Sequence, residues 1–135
     1  MNETRVGRVS KINYENGTIE VLYTDRDNEV TTELPVLNFG NEYHMPKIDD
    51  MVMVMHLSNG CEMGVVLGTF WCGGNPPPES GEGLYRKEYG SEPGEAYARF
   101  KNGIMEFKAD SVVFKTKSGT VSIREIVSHL THPLD

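Results

Sequence analysis

Cysteine is nearly absent from this sequence: Cys61 and Cys72 are its only two among 135 residues. They are too few and too far apart for a CxxC zinc site, and no targeting signal points to an oxidising compartment, so both read as buried or bland thiols. Positive charge is also scarce, with 13 Lys and Arg against 20 Asp and Glu for a net −7. Nucleic-acid affinity rests on cationic side chains displacing condensed counterions, and so acidic a chain argues against a nucleic-acid partner. No stretch approaches the roughly 18 to 20 apolar residues that span a bilayer. The opening Met1-Asn2-Glu3-Thr4-Arg5 lacks the apolar core of a signal peptide. The chain is therefore expected in the cytoplasm unless an assembly carries it out.

Catalytic signatures are missing as well. There is no GxSxG, Walker glycine loop or HExxH. Asp49 and Asp50 are adjacent, which on a strand sends them to opposite faces rather than into a carboxylate pair. His44 and His56 lie in separate segments and read as ordinary structural residues. The expectation is a protein that is not an enzyme.

What is present is β structure. Val6 to Tyr14, Thr18 to Tyr23 and Val30 to Leu34 are β-branched and aromatic runs, broken by Glu15-Asn16-Gly17 and Asp25-Arg26-Asp27-Asn28. Asn-Gly between alternating runs signals a hairpin, because both residues tolerate the positive φ of a type I′ turn. After an irregular stretch, Met51 to Met55 leads through Ser58-Asn59-Gly60 into Glu62 to Phe70. Five strands with one long connection suit a small Greek-key barrel of the OB type over residues 1–72, and are too few for a seven-stranded sandwich.

Residues 73–94 hold Pro76-Pro77-Pro78 and several glycines and read as a connector, since such a run cannot join a sheet interior. Charge divides near the same place: residues 1–94 carry 7 Lys and Arg against 15 Asp and Glu, and the remainder 6 against 5. Over 95–122 the turn formers Asn102-Gly103, Asp110-Ser111 and Ser118-Gly119 recur every eight residues. A fixed period with equivalent residue types is the mark of stacked short strands. One narrow sheet of such rungs is marginal in water, because a half-dozen buried side chains fall short of the entropy lost in ordering the segment. Three copies facing inward as an intertwined β-prism supply the missing burial. The expected trimer core is Phe100, Ile104, Val112, Phe114, Val121, Ile123 and Ile126.

Residues 123–135 are expected to form a short helix and tip. Ser122 and Glu125 have capping-box spacing, and Ile123, Ile126, Val127 and Leu130 share one helical face. Met51, Met53 and Met55 alternate with Val52 and Val54, so that strand is either buried on both faces or presents one to another protein. Tyr85, Tyr89 and Tyr97 read as interface packing. A stacking platform for sugars or bases is the alternative, which leaves open a carbohydrate- or receptor-binding module or an OB-fold nucleic-acid-binding protein.

Five segments in order carry a resemblance: Arg5-Val6-Gly7-Arg8-Val9, Gly17-Thr18-Ile19-Glu20-Val21, Leu34-Pro35-Val36-Leu37, Met45 to Val54, and Gly64-Val65-Val66-Leu67-Gly68-Thr69-Phe70-Trp71. Together they resemble the baseplate assembly protein V family of phage central spikes, whose OB domain is shared with secretion-system spike proteins. Asp49 stands where the family's Pro-x-x-Gly-Asp turn has Gly. The resemblance implies a homotrimeric structural spike of a phage or tail-like bacteriocin, made in the host cytoplasm and located in the tail baseplate. It would cap the tail tube beneath a baseplate hub protein and pierce the target cell envelope, with the work supplied by sheath contraction. Longer family members carry an axial ion on a His-x-His pair of a β-rung; His129-x-x-His132 departs from that spacing and reads first as exposed or packed histidines, with ligation of an axial iron or zinc ion as the alternative and no cofactor otherwise expected.

Overall fold

A computed structural model describes residues 3–57 and 63–131. The chain divides into two compact units, Met1–Pro76 and Pro77–Asp135. Among the described residues the regular structure is β-sheet, apart from a single 3₁₀ turn and one short helix near the C-terminus. None of the helical structure among them is long and apolar enough to cross a membrane.

The first unit contains β1 (Glu3–Asn13), β2 (Thr18–Tyr23), β3 (Glu29–Val30), β4 (Leu34–Pro35), β5 (Met51–His56) and β6 (Gly64–Thr69). The sheet order is β3-β2-β1-β5-β6, with β4 also on β2. Period-2 alternation turns Val9, Ile19, Val21, Tyr23, Leu34, Val52, Val54 and Val66 into one core, in which none is more than 1% exposed. Gly7 belongs to the same inward face. A Cβ there would lie 2.5 Å from Val21 Cγ1 and 2.7 Å from the Tyr23 ring, so only glycine admits both.

The expected third strand, Val30 to Leu34, is split. Val30 pairs with Leu22 and Leu34 with Ile19, while between them Thr31 Oγ1 accepts the Val21 N–H at 2.9 Å and stands in for a backbone carbonyl. The expected barrel is not seen as a closed ladder. Among the described residues β3 and β6 do not pair, and a single parallel bridge, Val36 to Val66, links the chain after β4 to β6, with Leu37 N–H donating to the Val66 carbonyl at 2.8 Å. Pro35 has no N–H to extend β4 as a donor strand.

The turns differ from their sequence signals. Asn16-Gly17 does not form a two-residue type I′ turn. Asn13 pairs with Thr18 across a four-residue loop in which Gly17 alone has positive φ and Asn13 Oδ1 accepts the Asn16 N–H. The Asn59-Gly60 signal lies outside the described residues. Between Lys101 and Ile104, Asn102 and Gly103 take φ of 53° and 80°, the pattern that a type I′ turn demands.

The second unit contains β7 (Tyr85–Glu88), β8 (Tyr97–Lys101) and β9 (Ile104–Lys108) in one antiparallel sheet, a β10 (Val113–Thr116) to β11 (Gly119–Ser122) hairpin, and α1 (Ile123–Thr131). Strand β7 falls inside the segment expected to be connector, because Tyr85 to Glu88 follows the prolines and is free to pair with β8. The eight-residue period yields strands, but not one stack. Asp110-Ser111 joins β9 to β10 without pairing them, so within one chain the rungs fall into two sheets rather than the single narrow sheet expected. The helix begins as expected, with Ser122 Oγ accepting the Glu125 N–H at 3.1 Å.

Candidate assembly interface

The β7-β8-β9 sheet has two chemically distinct faces, fixed by register. Arg86 pairs with Arg99, which pairs with Glu106, so these three side chains share a face, while Tyr85, Phe100 and Met105 are aligned on the other. The first face is closed by its own chain. Glu79 lies against it and receives Arg99 Nε and Nη2 at 2.7 Å each, together with Arg86 Nη1 at 3.1 Å. Arg99 Nη1 continues to Glu106 at 2.9 Å, and Arg86 Nε donates to Glu88. The Arg86 guanidinium also stacks 3.9 Å over the Tyr97 ring.

Electrostatics follow from these contacts. The Arg99 hydrogen bonds hold the Glu79 carboxyl down at about 2, against desolvation acting the other way. Arg86 lowers Glu88 in the same manner, and Glu79 and Glu88 raise their arginine partners. The charged face is therefore the ordered and half-covered one.

The opposite face is apolar and open. It carries Tyr85, Ala98, Phe100, Met105 and Phe107, with Lys87 on the edge strand. Tyr85 is 73% exposed, Met105 59% and Phe107 67%. Among the described residues of 77–131, no side chain is buried. The helix repeats the situation, since Ile123, Ile126, Val127 and Leu130 form one stripe and all are exposed. Exposed apolar faces of this kind are candidates for an assembly interface.

The expected core residues are dispersed. Phe100 lies on the open sheet face, but Ile104 pairs with Lys101 on the charged face and cannot join it. Phe114 and Val121 are cross-strand partners on one side of the β10-β11 hairpin. Val112 precedes that hairpin, and its carbonyl accepts the Ile123 N–H at 2.8 Å, while Ile126 belongs to the helix stripe. Met105 and Phe107 escaped the sequence reading. The signal was their alternation about Glu106, out of phase with Ile104.

Other candidates also find their places. Tyr85 and Tyr97 occupy opposite faces, so the three tyrosines do not form one stacking platform. His129 is exposed in the last turn of α1, away from the apolar stripe, and His132 lies outside the described residues, as does Cys61. Among the described residues no group of three or more His, Cys, Asp or Glu side chains is disposed to hold a metal.

In the first unit, Val52 and Val54 point into the core while Met51 and Met55 remain 36% and 38% exposed. The methionine strand is thus covered on one face only. His56 is buried in the core, with Nε2 2.5 Å from the Tyr23 hydroxyl and Nδ1 facing the Met63 carbonyl at 3.3 Å. A carbonyl only accepts, so Nδ1 carries the proton and Nε2 accepts from Tyr23. The Arg5 guanidinium lies 3.7 Å over that tyrosine ring. His44 is exposed and, with Phe39 and Lys47, lines a cleft of about 280 Å³. Asp50 Oδ2 accepts the Lys47 N–H, a turn contact rather than half of a catalytic pair. No protein-family model matches this chain, and no curated protein matches it.

Proposed function

We propose that this chain is a non-enzymatic structural subunit, a homotrimeric central spike of a contractile phage tail or tail-like bacteriocin. In this reading the first unit is an OB-type barrel completed across the Val36 to Val66 bridge, and the second unit builds a three-chain β-prism. The spike caps the tail tube beneath a baseplate hub protein and is driven through the target cell envelope by sheath contraction. It resides in the virion tail baseplate and is made in the host cytoplasm.

One observation carries the reading. The second unit buries none of its described residues alone, yet it has regular strands, a capped helix and an open apolar face. A small sheet whose apolar face packs on nothing gains little from burial, and in this reading copies of the chain cover it. A tip that bears axial load gains from that arrangement, because interchain strands spread force over three chains. The first unit has its own core and serves as a base. The proposal includes an axial iron or zinc ion with His129 and His132 as its ligands.

Carbohydrate or receptor binding through a tyrosine platform is disfavoured by the placement of Tyr85 and Tyr97 on opposite faces. Nucleic-acid binding is disfavoured by the acidic balance of residues 1–94. The test is solution mass by light scattering on the full chain and on a chain ending at Pro76. A full-length trimer that becomes a monomer on truncation is expected. A monomeric full-length chain sinks the spike reading.

A further inference from the structure

We draw no further inference here: the strongest candidate, the open apolar face of the β7-β8-β9 sheet that carries Tyr85, Phe100, Met105 and Phe107, supports none because nothing in the structure shows what covers it.

Discussion

Arg99 grips Glu79 with its Nε and Nη2 groups, one to each carboxylate oxygen, both at 2.7 Å. This planar fork ties the segment after the prolines to the middle strand of a sheet that has no apolar core. Charge-assisted, bidentate pairs are among the stronger polar contacts, and here two arginines and three glutamates share the work.

The network predicts acid sensitivity with a defined sign. The Glu79 carboxyl is depressed from 4.5 to about 2, so its contribution is present above the unfolded value and is lost as pH falls through the folded one. Resistance of the 77–135 region to limited proteolysis should hold at pH 5 and decline between about pH 4.5 and 2. Glu79→Gln should show the weakened state already at neutral pH. A variant as resistant as the parent across the range would remove the network from the account.

Asp49 sits at φ 71° in a turn closed by the Asp50 N–H and the Lys47 carbonyl at 3.1 Å. A non-glycine residue held there costs about 1 kcal/mol. Asp49→Gly should therefore raise stability in thermal melts, while Asp49→Ala should not.

Gly7→Ala should destabilise the first unit by about 1 to 3 kcal/mol, the range for an overpacked core. The new methyl would have to displace Val21 or the Tyr23 ring that carries Arg5 on one face and bonds His56 at its edge. Chemical denaturation read at the tyrosines measures the loss. An unchanged midpoint would contradict the packing described.

Face assignment in the second unit gives a paired test. Phe107→Gln should weaken assembly, lowering the trimer fraction by light scattering at matched concentration. Ile104→Gln should leave it intact, since Ile104 lies on the charged face. Equal effects of the two would show that the period, not the register, describes the interface.

Much of the fold was legible because it depends on local pattern. Alternation in Thr18 to Tyr23 and Met51 to His56, the stripe in α1 and the Ser122 cap all act within a few residues. The interface was less so. Ile104 and Met105 are adjacent and both apolar, so choosing which one faces the core requires knowing how Lys101 and Phe100 are paired. The Asn-Gly signals behaved unequally for a related reason. Asn102-Gly103 joins strands in tight register, whereas at Asn16-Gly17 the pairing of Asn13 with Thr18 opens a longer loop.

By itself, then, this sequence determined a β-rich chain with one short capped helix, a self-sufficient first core and an acidic surface, because composition and short-range periodicity decide those properties. Tertiary structure decided what distant segments do to one another. Glu79 crosses twenty residues to neutralise Arg99, Thr31 replaces a ladder carbonyl, and β7 emerges from a proline-rich stretch to leave Tyr85, Phe100, Met105 and Phe107 on one uncovered face. Strand register is a long-range quantity, and a shift of one residue exchanges the charged face for the apolar one.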